Sequence, residues 1–317
     1  MDQRMLSGTG VGNDDYTLFD NTITINQLTS SIDFLVNVTT DTIVELDEYF
    51  DVIMSSLSAS GLNVILGTNG RGNIINDDQA ILSILGQDVV ETDNGSTTTM
   101  TFTLALDHQV AGEIGITAAT QDLDATVVDN DYNPFSDTIN FAAGSTSETF
   151  TVTIIGDDTV ELDEQLTVLL SNLVNLQNFD VVLAGGGLTT SATGTILNDD
   201  QALFNIQDVS RNEEAGLITF TVEMTREVDE VVSINVNTAD GTALSNAFSG
   251  FVSDNDYTPV SDLPLIFGKG ERFKTFTVFI NNDNVVELDE EFTVSLDNTS
   301  LFAFGRNVIG TGSATGT

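Results

Sequence analysis

Carboxylate side chains recur at regular places along this chain of 317 residues. The tetrapeptide Glu-Leu-Asp-Glu occurs at 45–48, 161–164 and 287–290. An Asp-Tyr pair precedes each copy, at 15–16, 131–132 and 256–257. Calcium prefers about six to eight oxygen ligands, mainly carboxylates and carbonyls, so acids grouped in this way favour the binding of a hard divalent cation.

The charge balance limits the classes of partner. Lys and Arg together number 8, Asp and Glu number 49, and the formal net charge is −41. Binding to nucleic acid needs Lys and Arg against the phosphates, and an anionic membrane surface would repel this chain. We therefore predict no nucleic-acid partner and no direct membrane insertion, since no apolar run reaches about 18 residues. Metal cations are natural partners, although an acidic surface can also serve only solubility.

Residue types that build catalytic sites are scarce. His108 is the single histidine and cysteine is absent, which excludes zinc sites and histidine-activated nucleophiles. Residues 129–133 begin like an EF-hand loop, but Pro134 stands where that loop needs Gly. Paired carboxylates could act in a glycosidase, yet here they recur in every repeat, whereas an active site is normally unique. We predict that the protein is not an enzyme.

The recurring motifs define a repeat of about 120 residues. A second string, Asn-Asp-Asp-Gln-Ala, starts at Asn76 and again at Asn198. This period is too long for a solenoid unit but suits one immunoglobulin-sized sandwich. We predict a partial repeat 1 at 1–78 that lacks its opening strands, a complete repeat 2 at 79–200, and a repeat 3 at 201–317 that lacks its closing acidic segment.

Within the repeats, short runs alternate with the period of two that half-buried strands show. Residues 149–154 and 275–280 are examples, in which Phe and Val are expected to face the core and Thr the solvent. No stretch combines helical periodicity with caps. The predicted fold class is all-β, with tandem immunoglobulin-like antiparallel β-sandwiches.

In repeat 2 the motifs follow a specific order. It is Glu91 before a Gly-containing turn, Asp-Asn-Asp-Tyr at 129–132, Phe-x-x-Gly at 141–144, Asp-Asp-Thr-Val-Glu-Leu-Asp-Glu at 157–164 and Thr-Ile-Leu-Asn-Asp-Asp at 195–200. This combination resembles the Calx-β family, known from the regulatory region of sodium–calcium exchangers, an integrin beta subunit and long bacterial surface proteins. The resemblance covers nearly all of the chain and implies sandwiches of the Calx-β type.

The same resemblance implies Ca²⁺ as the cofactor and assigns its ligands by matching position. In repeat 2 they are Glu91, Asp131, Asp157, the Thr159 carbonyl, Glu161, Glu164, Asp199 and Asp200. In repeat 3 they are Glu213, Asp256, Asp283, Glu287 and Glu290. In repeat 1 they are Asp15, Asp41, Glu45, Glu48, Asp77 and Asp78.

Some matching positions lack an acid. In repeat 2 these are Gly156 and Asn198, which predicts one or two ions rather than a larger cluster. In repeat 3, Asn282 and Asn284 replace acids. Leu162 is expected to anchor the repeat 2 loop to the core. The alternative interpretation is that the acids are turn residues, since Asp and Asn readily bond their own backbone.

Two functions follow from the resemblance. The first is an extracellular or cell-surface structural or adhesive array, in which calcium stiffens the junctions between repeats. Its partners are calcium ions and neighbouring repeats or subunits of the same protein, with head-to-tail assembly into a filament if the chain is a mature subunit. The alternative is a calcium-sensing regulatory module of a larger transporter or enzyme.

Overall fold

The computed structural model describes the backbone of residues 2–6 and both backbone and side chains of residues 15–245, 255–282 and 286–317. Regular structure in these ranges is almost entirely strand, which confirms the all-β fold class. One short 3-10 turn, Glu213–Ala215, is the exception among them. None of the helical structure in this part of the chain has the length and hydropathy to cross a membrane.

Repeat 2 is a sandwich of two sheets. One sheet has the order β10-β7-β5-β12 and the other β6-β13-β11-β8-β9. The strands are β5 Ala80–Leu85, β6 Asp88–Val90, β7 Thr97–Leu106, β8 Ile114–Asp122, β9 Ser136–Phe141, β10 Ser147–Ile155, β11 Glu164–Val174, β12 Val181–Leu183 and β13 Thr190–Leu197.

Repeat 3 has the same two-sheet plan. Its described sheets have the orders β18-β15-β14-β20 and β17-β16-β19-β21. The strands are β14 Ala202–Ile206, β15 Leu217–Met224, β16 Val232–Asp240, β17 Leu263–Phe267, β18 Phe273–Phe279, β19 Phe292–Phe302, β20 Val308–Ile309 and β21 Ser313–Gly316.

Repeat 1 contributes one sheet to the described structure, with the order β2-β1-β3-β4. Several of its large apolar side chains are exposed, among them Leu35 and Ile65. Because no second sheet covers them in the described residues, repeat 1 buries much less apolar surface than the other two. Its strands are β1 Asp2–Leu6, β2 Asn21–Thr22, β3 Glu48–Ser55 and β4 Gly70–Ile74.

The core of repeat 2 lies between its sheets and follows the expected alternation. On β10, Phe150 and Val152 are buried while Thr151 is exposed. On β7, every second residue from Met100 to Leu106 is buried. Alternate side chains of a strand point to opposite faces, so the period of two in the sequence is sufficient to place these residues inside.

The sequence predicted antiparallel sheets, but three of the described strand pairs are parallel. β12 pairs with β5, β13 with β6, and β20 with β14 in parallel. In repeat 2 the opening segment crosses from one sheet to the other between β5 and β6, so each half meets a different closing strand. Gly86 lies at this crossing, where an added Cβ would come within 2.0 Å of the Thr193 carbonyl oxygen.

The valine before each of the first two Glu-Leu-Asp-Glu segments packs into the core of the following repeat. Val160 is fully buried in the core of repeat 3, and Val44 in the core of repeat 2. The Val160 N–H donates to the Glu227 carbonyl over 2.9 Å, and the Asp229 N–H donates to the Val160 carbonyl over 3.2 Å. Leu162, expected to anchor this loop, is instead 46% exposed, because the loop buries Val160 in the next repeat.

Val160→Ala should therefore destabilise repeat 3 rather than the repeat that carries the residue. The lost methyl groups and the resulting cavity should cost about 2 kcal/mol. Amide hydrogen exchange, which resolves the repeats separately, should show faster opening of the strands β15 and β16. Val128→Ala, at an exposed valine, is the matched control. Faster exchange confined to repeat 2 would contradict the assignment of Val160 to the core of repeat 3.

Candidate metal centres

The Asp of each Asp-Tyr pair meets both Glu residues of the following Glu-Leu-Asp-Glu. In every repeat, carboxylate oxygens of the three side chains lie within 4.8 Å of one another. The sets are Asp15, Glu45 and Glu48; Asp131, Glu161 and Glu164; and Asp256, Glu287 and Glu290. Residues about 30 positions apart in the sequence are thus brought to a separation that one cation can span.

In repeats 2 and 3, a buried tyrosine and a backbone N–H together position the aspartate of the Asp-Tyr pair. The Tyr132 hydroxyl donates to Asp122 Oδ1 over 2.5 Å, and the Thr126 N–H donates to Asp131 Oδ2 over 2.6 Å. In repeat 3 the hydroxyl of Tyr257 and the N–H of Leu244 make the corresponding bonds, each of 2.7 Å, to Asp240 and Asp256. The tyrosine holds the turn, and the backbone N–H orients the carboxylate beside it.

Asn198, a departure from the acidic pattern, braces the acidic loop. Its Oδ1 accepts from the Glu161 N–H over 3.3 Å, and its Nδ2 donates to the Asp200 carbonyl over 3.1 Å. Its own N–H donates to Asp163 Oδ1 over 3.1 Å. Asn76 makes the corresponding bonds in repeat 1. A carboxylate could not donate the side-chain bond to the Asp200 carbonyl unless protonated, so this bond requires an amide.

Gly156, the other departure in repeat 2, is set by space. A Cβ at this position would lie 1.6 Å from the Thr92 carbonyl oxygen and 2.7 Å from the Thr92 hydroxyl. Both distances are far inside van der Waals contact, so no larger residue fits while Thr92 stays in place. The missing acids at Gly156 and Asn198 therefore reflect the local packing of the loop.

The remaining predicted ligands of repeat 2 surround the three-carboxylate cluster. Asp157 accepts the Thr159 N–H over 2.5 Å, which turns the loop back on itself. Asp199 is exposed and Asp200 is buried. Burial raises the pKa of the Glu91 carboxyl to about 8, and the charges of Asp157 and other acids add to the effect.

The cluster is short of positive charge. Burial raises the pKa of Glu161 to about 7 and that of Glu164 to about 8, with further contributions from neighbouring acids. Glu164 also shares a hydrogen bond with Asp131, which requires a proton on one of the two carboxyls. Asp200 Oδ2 is buried with no hydrogen-bond partner among the described residues. Asp200 belongs to a separate group of acids with Asp93 and Asp158. An all-oxygen donor set that must hold protons, as Asp131, Glu161 and Glu164 do, fits a hard cation such as calcium.

Repeat 1 has the same arrangement in a more open setting. Burial, followed by a hydrogen bond with Asp15, raises the pKa of Glu48 to about 7. Burial, together with the charges of Asp15, Asp41 and Asp78, raises the pKa of Glu45. Asp77 is exposed. Asp41 and Asp78 thus lie close enough to act on the cluster.

The other two predicted ligands of repeat 3 are Glu213 and Asp283. Glu213 lies exposed in the 3-10 turn, and the described cluster does not include it. The strand register keeps Glu213 at the position of Glu91: the Thr195 N–H donates to the Gln87 carbonyl and the Thr317 N–H donates to that of Val209, in each case four residues before the glutamate. The match of Glu213 to Glu91 stays a prediction, and the two side chains differ in burial, since Glu91 is buried and Glu213 is exposed. Asp283 lies outside the described residues.

Arg226 of repeat 3 reaches the acids of repeat 2, a contact that sequence motifs did not indicate. Its guanidinium donates to Asp158 over 2.9 Å, to Asp93 over 3.4 Å and to the buried Asp200. Burial still raises the pKa of Asp200 to about 6, although Arg226 lowers it. The only signal in the sequence was a basic residue beyond the junction in a chain with 8 Lys and Arg residues.

Arg226→Gln should have opposite effects without and with calcium. With chelator it leaves Asp200 buried beside other acids, which should destabilise the junction by roughly 2 kcal/mol. With calcium it removes a competing cation that contacts Asp158 and Asp200, so the calcium affinity should rise about tenfold. Melting curves with chelator and calorimetric titrations check the two effects. Arg211→Gln is the control, and an unchanged affinity would contradict competition.

The sequence of this chain is similar to a known family and to known proteins. The family model described as the Calx-beta domain matches residues 4–79, 76–200 and 198–314. Adhesion G-protein coupled receptor V1 of Danio rerio is 26% identical over 267 residues, which is 82% of this chain and 4% of that protein. Extracellular matrix organizing protein FRAS1 of Mus musculus is 33% identical over 103 residues, which is 32% of this chain and 2% of that protein. The chain thus spans a small part of these curated relatives.

Solved structures resemble large parts of this chain, with low TM-scores. The crystal structure of CBD12 from CALX1.2 covers 69% of this chain and 80% of its own, with 20% identity and a TM-score of 0.32. The crystal structure of a tetra-tandem repeat in the extending region of a large adhesion protein covers 99% of this chain and 64% of its own, with 12% identity and a TM-score of 0.35. The three family matches span almost the whole sequence, and the chain therefore belongs to the Calx-β domain family, which it carries as tandem repeats.

Proposed function

We propose that this protein is a calcium-binding, extracellular array of Calx-β repeats with a structural or adhesive role. The observation that carries the proposal is the recurrence of one three-carboxylate cluster in every repeat, with oxygens within 4.8 Å. A catalytic site is normally present once, whereas a structural ion site recurs with its domain. Two similar proteins, one named as an adhesion receptor and one as an extracellular matrix organizing protein, support the extracellular location.

In repeat 2 the ion would be held by Glu91, Asp131, Asp157, the Thr159 carbonyl, Glu161, Glu164, Asp199 and Asp200. The raised pKa values of Glu161 and Glu164 mean that these carboxyls retain protons near neutral pH without metal. Metal ligands must be deprotonated, so binding should release protons into the buffer. Calcium supplies the positive charge that the cluster lacks. Arg226 already neutralises some of the outer acids, which supports one or two ions rather than a larger set.

The junction between repeats is where calcium would act mechanically. Asp200 ends repeat 2, Ala202 begins β14, and the linker between them contains neither Gly nor Pro. An ion that holds Asp200 to the Glu161 loop would fix this linker at its root, beside Val160 in the core of repeat 3. Without the ion, mutual repulsion of the carboxylates loosens the same contact.

Calcium should therefore lengthen and stiffen the array. Small-angle X-ray scattering should give a larger maximum dimension and a narrower spread of shapes with calcium than with chelator. The double variant Glu161→Gln with Glu164→Gln should not respond, while Glu113→Gln, at an exposed acid of the same repeat, should respond like the native chain. Identical scattering in both conditions, with binding established by calorimetry, would make the ion a local brace only.

We extend the proposal to contact between neighbouring repeats or subunits of the same protein, end to end. Its support is the apolar surface of repeat 1, where Leu35 and Ile65 are exposed. Surface of this kind is a common feature of protein contacts. Sedimentation of the chain over a range of concentrations checks this part, and a monomer at every concentration, with and without calcium, would contradict it.

A further inference from the structure

The first two repeats share a contact that repeat 3 leaves open. Val44 and Val160 precede Glu-Leu-Asp-Glu in repeats 1 and 2, and each is 0% exposed because it lies in the core of the following repeat. Val286 holds the same place in repeat 3 and is 98% exposed. A valine that is fully buried at two junctions is thus fully presented to solvent at the third position.

The neighbouring leucine shows the same trend. Leu46 and Leu162 are 42% and 46% exposed, whereas Leu288 is 90% exposed. At the junction of repeats 2 and 3, Leu162 Cδ2 lies 3.6 Å from the place of a Cβ on Gly305, so the next repeat covers part of this leucine. Two apolar side chains of repeat 3 are therefore uncovered in the described structure where their counterparts are covered.

The acceptor at both filled junctions is built in the same way. It is the loop that joins the two sheets, between β7 and β8 in repeat 2 and between β15 and β16 in repeat 3. At the first junction the Val44 N–H donates to the Gln109 carbonyl, and the Ala111 N–H donates to the Val44 carbonyl, both over 2.9 Å. The Val160 pair at the second junction has the same pattern. Each valine thus forms one isolated parallel bridge with this loop, opposite Val110 or Val228.

The Phe-x-x-Gly turn supports this acceptor from its far side. The Gly144 N–H donates to the Val110 carbonyl, and the Gly270 N–H to the Val228 carbonyl, each over 2.9 Å. Both glycines have positive φ, 78° and 70°, a conformation that Gly adopts without the steric cost of a Cβ. The motif therefore marks a repeat that can receive the valine of the repeat before it.

We infer that Val286 and Leu288 form a docking surface for a further Calx-β repeat that carries a loop like the one at Val110 and the Phe-x-x-Gly turn. The occupant is a complete repeat rather than a second copy of this chain, because Val44 and Val160 already fill the acceptors of repeats 2 and 3. The inference rests on the array role proposed above but not on calcium, since the contact consists of backbone hydrogen bonds and apolar burial.

The test is an extended chain with residues 74–200 joined after Thr317. The match of 313–317 to 191–195 sets this register, and the added segment is a second copy of repeat 2. Amide hydrogen exchange of the unique peptide 283–290 should be at least about tenfold slower in the extended chain than in the 317-residue chain. Equal exchange in the two chains, both with calcium and with chelator, would overturn the inference.

Val286→Asp separates docking from folding. Because Val286 is exposed in the 317-residue chain, the variant should leave the melting of that chain unchanged, and it should restore fast exchange in the extended chain. Protection that survives Val286→Asp would also overturn the inference. Calcium affinity is measured separately by calorimetry, so a failure of calcium binding leaves the docking result to be judged by itself.

Discussion

Calcium at about a hundred times its dissociation constant should stabilise repeat 2 by about 2.7 kcal/mol for each ion bound, because the ion binds only the folded state. For a domain of this size, that corresponds to a rise in melting temperature of about 10 °C. Differential scanning calorimetry with calcium and with chelator measures the shift. Because three repeats unfold in one chain, several melting transitions can overlap. The transition of repeat 2 is identified as the one whose calcium-dependent shift disappears in the ligand variants.

The double variant Glu161→Gln with Glu164→Gln should remove most of this shift. It keeps the shape of both side chains but removes the charges that would hold the ion. Glu113→Gln makes the same chemical change at an exposed position outside the cluster and should retain the full shift. A melt that does not move between micromolar and millimolar calcium would rule out a calcium site in this repeat.

The pH dependence of stability should reverse its sign when calcium is added. With chelator, the folded-state pKa of Glu91 is raised to about 8, while the unfolded value is near 4.5. The folded state therefore holds a proton that the unfolded state has lost at neutral pH. The stability that this group contributes is present below about pH 4.5 and is lost as the pH rises through 8. Glu161 and Glu164 act in the same direction.

We expect repeat 2 to lose about 1.4 kcal/mol per pH unit for each such proton between about pH 5 and 8 in chelator. With calcium the ligands are already deprotonated in the complex, so stability should rise with pH over the same range. Chemical denaturation at a series of pH values gives both slopes. Equal slopes in the two conditions would show that the carboxyls and the ion are not linked.

Glu91→Gln tests the same linkage through a single side chain. The neutral amide has no buried charge to desolvate, so at pH 8 in chelator the variant should be more stable than the native chain. In calcium it should be less stable, because a ligand is missing. A purely structural role of Glu91 would give a loss of stability in both conditions.

Most of the fold could be predicted from the sequence because its signals are local. The alternation at 149–154 and the repeated motifs fix which residues face inward and where each repeat recurs, and the structure has strands there. The mixed strand pairing of β5, β6 and β14 could not be predicted, because the crossing of the opening segment depends on which strand closes each sheet.

The three-carboxylate clusters were also within reach of the sequence. Asp131, Glu161 and Glu164 were selected by matching motifs, and the structure brings them together. The strand register keeps Glu213 at the position of Glu91, but Glu213 lies exposed in a 3-10 turn, a difference in burial that spacing alone does not reveal. Their role as calcium ligands stays a prediction that the melting and titration experiments test.

The sequence by itself determined the strand period, the repeat frame and the acids that surround each centre, because each of these depends on residues close together in the chain or repeated along it. Only the tertiary structure decided that Val160 belongs to the core of repeat 3 and that Arg226 neutralises acids of repeat 2. Those contacts join residues of different repeats, and they form only where the faces of two folded sandwiches meet. The same burial sets the charge of Glu91, since a carboxyl loses its preference for ionisation only when the surrounding fold removes water.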